Sequence, residues 1–165
     1  MRTKAIVEFC NWVDSTPLSQ TIQSTSWVVP AVQTVHILGI AAVMSSILMI
    51  NLRLLGVAGT DQPIARVSDR FRPVIWWTLP LLLATGTILI IGEPMRELAN
   101  DFFQLKMLLL VSVIALTIGF QRPLSRDPQY WDAAGGRRTL ARALAVVSLL
   151  LWTGIIFAGR WIAYL

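Results

Sequence analysis

Four long apolar runs dominate the pattern of hydrophobic and polar positions along this chain, and none of them contains an acidic residue. A helix of about 20 apolar residues crosses a hydrocarbon core of roughly 30 Å. Each run is therefore long enough to span a bilayer. We predict transmembrane helices over residues of about 27–54, 73–91, 102–120 and 140–163.

Polar and helix-breaking residues mark the predicted ends of these spans. The serines of the segment 24–26 are candidate caps for the first span. Pro73 begins the second span, and Gly92 with Pro94 ends it. Pro123 is expected to stop the third span because proline cannot donate a backbone hydrogen bond. The glycine pair before the fourth span indicates a turn at residues 134–136.

A shorter amphipathic segment precedes the first span. Over residues of about 3–14, apolar side chains recur on one face at helical spacing, namely Ile6, Phe9, Trp12 and Val13. An amphipathic helix of this kind lies in the membrane interface. The predicted fold is therefore all-α: a polytopic membrane protein with a four-transmembrane-helix bundle and a short N-terminal interfacial helix.

The composition supports this prediction. Hydrophobic residues make up 55% of the 165 residues and charged residues 14%, whereas soluble domains carry about 25% charged residues. The length suits a single domain over residues 1–165. The net charge of +5 does not indicate nucleic-acid binding, because no basic cluster interleaves with aromatic residues. Cys10 is the sole cysteine, which excludes an internal disulfide.

The basic residues predict the orientation of the bundle. Nine of the fourteen Lys and Arg residues flank the connections between spans one and two and between spans three and four. Because cytoplasmic loops are enriched in Lys and Arg, both termini are expected on the outer, periplasmic face of a bacterial inner membrane. These nine are Arg53, Arg66, Arg70, Arg72, Arg122, Arg126, Arg137, Arg138 and Arg142.

The sole histidine, His36, is the main candidate for chemistry. It follows Trp27 by nine residues, about 13 Å into the first span at 1.5 Å per residue. An imidazole at this depth is costly unless it faces the bundle interior with a partner or a metal. One interpretation is a structural hydrogen bond to a neighbouring helix. The other is axial ligation of a heme iron, with Gly39 at i+3 letting a flat macrocycle approach.

Two further cations belong to the same leaflet as His36. Lys106 begins the third span, and Arg160 ends the fourth. Heme b requires an axial nitrogen and counter-charges for two propionates, so we predict a heme site formed by His36, Gly39, Lys106 and Arg160. Either cation alone is also typical of a side chain that reaches the interface.

The second axial ligand stays open. Met95 and Met107 lie at or near the outer end, the iron could be five-coordinate, or two His36 residues could meet across a two-fold interface. Asn51 and Arg53, at the inner end of the first span, are interpreted as a structural clamp to a neighbouring helix or a lipid headgroup.

Several short patches resemble an uncharacterised bacterial family of four-helix membrane proteins. They are the TPLS segment from Thr16, VHILG from Val35, LRLLG from Leu52 and GRWIAY from Gly159. More distantly, the chain is similar to the four-helix protoporphyrinogen oxidase that binds heme b and to the copper-resistance protein D family. The oxidase resemblance implies functional roles for His36 and Lys106.

Three functions follow as hypotheses. The first is a small b-type cytochrome that transfers electrons near the periplasmic face, with a quinone or a periplasmic redox protein as partner. The second is a heme-free accessory subunit of a larger membrane complex, and the third is an oxidase of the porphyrinogen type. Because a small bundle has little area for burying a macrocycle, we also expect a homo-oligomer with the first span at or near its interface.

Overall fold

The computed structural model of the chain describes residues 4–132 and 135–162. Seven helices account for nearly all of these residues, and strands are absent from them. The helices are α1 (Lys4–Asp14), α2 (Pro17–Ser24), α3 (Val28–Leu55), α4 (Ile64–Gly92), α5 (Pro94–Leu98), α6 (Asp101–Arg126) and α7 (Gly136–Ile162).

Four of the helices in the described part of the chain, α3, α4, α6 and α7, are long and apolar enough to cross a membrane. This confirms the all-α, four-span fold with a short N-terminal helix. The bounds of the spans differ from the sequence prediction. Pro73 and Pro123 lie inside α4 and α6, rather than at their ends. Both prolines stand within ten residues of a polar helix end, where water can reach the carbonyl group that each leaves unbonded.

Local sequence also fixes two helices that the hydropathy pattern did not reveal, α2 and α5. Thr16 caps α2, because its hydroxyl oxygen accepts a hydrogen bond from Ser19 N at 3.3 Å and Pro17 stands at the first helical position. The candidate caps at residues 24–26 do not cap α3 through their side chains; Trp27 holds that position. Ala163 of the predicted fourth span and Ala134 of the predicted turn lie outside the described residues.

The spanning helices form an antiparallel bundle. Helix α3 packs between α4 and α7, and α6 packs against α7. Within the apolar windows of these helices, 28% of α3 and α7 is buried but only 6% of α6. The first span is therefore central within the chain, and α6 presents the most open surface to lipid. The expectation of a homo-oligomer that meets at the first span stays a prediction.

The two ends of the bundle differ in charge. The nine arginines that flank the loops between α3 and α4 and between α6 and α7 all lie in helix segments at one end, called here the arginine-rich end. Arg53 there donates to Asp132 Oδ1 at 2.9 Å and to Gln62 O at 2.6 Å, and Asp132 Oδ2 accepts from Ile64 N at 3.0 Å. Arg53 therefore joins the two loops, rather than the neighbouring helix or lipid headgroup that was predicted, whereas Asn51 does bond a neighbouring helix through Ser148 of α7.

The opposite end, called here the histidine end, carries α1, α2 and α5. Cys10 of α1 is fully buried, and its Sγ donates to Pro94 O at 3.5 Å. Ser19 of α2 is equally buried and donates to Ile91 O at 2.6 Å. These two bonds fasten the N-terminal helices onto the end of α4 and the start of α5.

Candidate functional site

The imidazole of His36 joins α3 to α4. Its Nδ1 lies 2.7 Å from the hydroxyl oxygen of Thr85. The single hydroxyl hydrogen of Thr85 has its own acceptors in the preceding turn, the carbonyl oxygens of Leu81 at 2.7 Å and Leu82 at 3.2 Å. We therefore assign the proton of the neutral ring to Nδ1, which donates to Thr85 Oγ1. Nε2 is then the nitrogen with the free lone pair.

A glycine lets the edge of the imidazole approach α4. A Cβ atom added at Gly86 would stand 3.6 Å from His36 Cε1, so the edge of the imidazole that carries both nitrogens faces the α4 backbone. The ring itself is half-buried. A side chain larger than alanine at Gly86 would crowd this edge.

Lys106 belongs to the same end of the bundle. It lies in the second turn of α6, and its Nζ is 3.8 Å from the position that a Cβ at Gly159 of α7 would occupy. Its positive charge is close enough to act electrostatically on His36 of α3 and on Glu97 of α5. The structure thus brings His36 and Lys106 into one neighbourhood, as the sequence predicted.

Glu97 is the member of this neighbourhood that sequence reasoning missed. Burial raises the pKa of its carboxyl group, while the positive charges of Lys106 and Arg96 lower it and Glu93 raises it further. In the sequence it stands only as one of several acids that offset the outer cations. Its side chain approaches Lys106 because α5 turns back over the start of α6, and no helical periodicity could have revealed that turn.

Gly39 serves a close helix crossing. A Cβ at this position would stand 2.9 Å from Leu82 Cδ2 and 3.3 Å from Thr78 Cγ2. Side chains of α4 therefore occupy the space beside Gly39. Its predicted role as a cofactor contact stays a prediction, and what the structure shows there is helix packing.

Arg160 lies in the last turn of α7 and is exposed. It engages in an interaction of its own, and the preceding Gly159 contacts Lys106. His36 hydrogen-bonds Thr85, and both His36 and Glu97 lie within electrostatic reach of Lys106, whereas Arg160 is next in the chain to Gly159, which lies beside Lys106. Its part in a cofactor site stays a prediction.

Few side chains at this site could act as metal ligands. Across residues 4–132 and 135–162, no group of three or more His, Cys, Asp or Glu side chains could hold a metal ion. A metal bound by His36 would consequently need most of its ligands from a macrocycle or from another molecule.

These observations define the chain as a multi-pass α-helical membrane protein with a histidine–lysine–glutamate cluster at one end of its bundle. It belongs to the family of unknown function DUF6644, which it matches over residues 9–165. No curated protein matches the chain, and no solved structure does. These comparisons show no similarity to heme or copper proteins.

Proposed function

We propose that this protein is a small b-type cytochrome-like membrane protein that binds heme b through Nε2 of His36. The observation that carries the proposal is the hydrogen bond from His36 Nδ1 to Thr85. Histidines that ligate metals usually donate their other ring N–H to a neighbouring oxygen, which fixes both the tautomer and the ring orientation. Thr85 supplies that oxygen here.

The small donor set suits heme better than a free metal ion. A porphyrin supplies four nitrogen ligands itself, so the protein needs to add only an axial ligand. Lys106 would neutralise one propionate, and Arg160 is the candidate for the other. Glu97 would compete with a propionate for the Lys106 ammonium.

Size decides where the macrocycle would lie. The cavity between the four spanning helices measures about 40 Å³ and lies towards the arginine-rich end, whereas sites for ligands of comparable size measure about 300–1,000 Å³. The porphyrin would therefore lie against the outside of the bundle near His36. A second copy of the chain would cover it, which is why we keep the proposal of a homo-oligomer.

Bound heme would supply one-electron transfer. The chain would hold the iron through His36, orient the imidazole through Thr85 and balance charge through Lys106. We place the protein in a bacterial inner membrane with both termini periplasmic, because the arginine-rich end fits the cytoplasmic face. The heme would then stand near the periplasmic face, accessible to a quinone or to a periplasmic redox protein.

An absorption spectrum of the protein purified from heme-replete cells tests this proposal. We expect a Soret band and reducible α and β bands. The variant His36→Asn should lose them but keep its fold, because the asparagine amide can still donate to Thr85. A colourless wild-type protein with full helical content would refute heme binding.

A second candidate is a heme-free accessory subunit of a larger membrane complex. The hydrogen bond between His36 and Thr85 also fits this function, because it gives the imidazole a partner without any cofactor. The side chains of α4 that fill the space beside Gly39 fit it as well. Co-purification with a stoichiometric larger partner, with no heme spectrum, would support it. An oxidase of the porphyrinogen type would instead restore heme synthesis in a strain that lacks its own oxidase.

A further inference from the structure

A cavity lined by both apolar and polar side chains lies at the junction of all four spanning helices, towards the arginine-rich end and away from His36. It measures about 40 Å³. Each spanning helix contributes a polar side chain to its lining, namely Asn51 of α3, Ser68 of α4, Thr117 of α6 and Ser148 of α7, and Gln121 of α6 adds a fifth.

The polar groups around this cavity have hydrogen-bonding capacity left over. Asn51 Nδ2 donates to Ser148 Oγ at 3.1 Å, which uses one acceptor site of that hydroxyl group. Thr117 donates back to Val113 O at 2.8 Å, as Ser46 does to Ala42 O. Among the described residues, the hydroxyl groups of Ser68 and Ser148 do not donate to a backbone carbonyl in this way, although both side chains are at most 6% exposed.

Buried polar groups of this kind require partners, because an unpaired hydroxyl or amide group in an apolar interior costs about 1–3 kcal/mol. A water molecule needs about 10–15 Å³ of such space and two to four polar neighbours. The cavity therefore has room for about two or three waters. No ionisable side chain stands among its lining residues, so a neutral occupant is favoured over an ion.

We propose that this cavity is a resident water site, in which two or three ordered waters bridge Asn51, Ser68 and Ser148. The waters link hydrogen-bonding groups of α3, α4 and α7 beside Thr117 and Gln121 of α6. They thereby hold the four spans in one register at a level where the neighbouring core is apolar. The inference is independent of heme, since the cavity and His36 lie in different halves of the bundle.

X-ray hydroxyl-radical footprinting tests this proposal on the wild-type protein in nanodiscs. Radicals form from water within the structure and oxidise adjacent side chains. Ile75 and Ile155 are matched probes: both are 5% exposed and belong to the same core cluster, but only Ile75 lines the cavity. We expect Ile75 to be modified like an exposed side chain and Ile155 to be protected. Equal protection of both would overturn the proposal.

Two variants separate bound water from local opening of the helices. Asn51→Leu removes the central amide at similar volume and should abolish the modification of Ile75, as should Ser148→Ala if Asn51 does not tolerate the change. Ser46→Ala is the control, because that hydroxyl bonds its own helix and lies off the cavity; it should leave Ile75 reactive. Modification that persists in both cavity variants would mean that the oxidised side chain is reached by bulk water, and would refute a resident site.

Discussion

The 2.7 Å hydrogen bond between His36 Nδ1 and Thr85 Oγ1 joins the first two spans at the histidine end of the bundle. It lies beside the close crossing at Gly39, so the packing of α3 against α4 is coupled to the hydrogen bonding of the His36 ring. Because Thr85 commits its own hydrogen to a backbone carbonyl, one threonine determines which imidazole nitrogen is free to bind iron.

Replacing Thr85 by valine tests that coupling. Thr85→Val leaves the His36 N–H without its acceptor, which should destabilise the protein by about 1–3 kcal/mol. If heme is bound, its affinity should fall about 10–100-fold, as in other sites whose supporting hydrogen bond is removed. Thr87→Val is the control, because the Thr87 hydroxyl is exposed and bonds only Leu83 O. Heme titration and thermal unfolding measure both effects, and equal behaviour of the two variants would contradict the role of Thr85.

Glu97 should make the stability of the fold depend on pH. Burial raises its folded pKa above the ordinary value of 4.5, so the folded state keeps a proton that the unfolded chain has released. Its contribution to stability is complete below pH 4.5 and is lost as the pH rises through the folded pKa.

Melting temperatures measured across this pH range check the prediction. Glu97→Gln should flatten this part of the profile, because glutamine resembles the protonated acid. Lys106→Met should shift the decline to higher pH, because the ammonium group lowers the pKa of Glu97. Glu8→Gln, on the exposed side of α1, should leave the profile unchanged. A wild-type profile that Glu97→Gln does not alter would count against this prediction.

Asp132 should contribute more to stability than the exposed carboxylate of Asp69 does. It accepts from Arg53 and from Ile64 N, the first amide of α4, within a pair whose side chains are 14% and 27% exposed. Asp132→Ala should cost about 2–3 kcal/mol, since it removes a cap and a charged hydrogen bond together.

Asp69→Ala is the comparison for Asp132. Its pair with Arg72 is 3.6 Å long, and the two side chains are 51% and 64% exposed, so this change should cost about 0–1 kcal/mol. Unfolding free energies of the two variants decide the matter. Similar losses would mean that Asp132 does not fasten the loops together.

Two buried tryptophans should respond differently to phenylalanine. Trp131 Nε1 donates to Phe120 O at 3.1 Å, whereas Trp152 Nε1 is buried without a partner among the described residues. Both changes lose packing, but Trp131→Phe also loses a hydrogen bond to Phe120 O, whereas Trp152→Phe removes an unpaired donor. Trp152→Phe should therefore be less destabilising by about 1–3 kcal/mol. The reverse order in thermal unfolding would indicate that Trp152 has a bound partner.

Gly39 and Gly119 form a matched pair for helix packing. A methyl group at Gly39 meets Leu82 Cδ2 at 2.9 Å, whereas nothing lies within 4 Å of one at Gly119. Gly39→Ala should cost about 1–3 kcal/mol, because the β-branched Thr78 as well as Leu82 would have to shift. Gly119→Ala should stabilise the protein by up to about 1 kcal/mol through helix propensity. A neutral Gly39→Ala would show that the two helices are less tightly packed than this crossing implies.

Hydropathy predicted the four spans because each has to satisfy its own backbone in a bilayer, and a long apolar run is a direct sign of that requirement. The prediction that two spans end at Pro73 and Pro123 was wrong, because a proline near a solvated helix end costs little and does not stop the helix. Hydropathy did not reveal helices α2 and α5, because they are short and rely on packing rather than on a periodic apolar pattern.

The candidate site was predictable only in part. A lone histidine deep in a span indicates a buried partner, and His36 has one. Nothing in the sequence identifies Thr85 as that partner, because the two residues are 49 positions apart and meet only through the register of α3 against α4. Asp132 and Ile64 are 68 positions apart, and the sequence does not identify them as hydrogen-bond partners either.

The burial of Cys10 between the N-terminal helices and α5 makes the detachment of α1 measurable by thiol labelling. Cys10 is the protein's one thiol, it is fully enclosed against Pro94, and burial raises the pKa of that thiol and keeps it unreactive. An alkylating reagent can reach the sulfur only during moments when α1 has lifted from α5. The rate of labelling consequently reports the opening of α1 from α5, without any engineered probe.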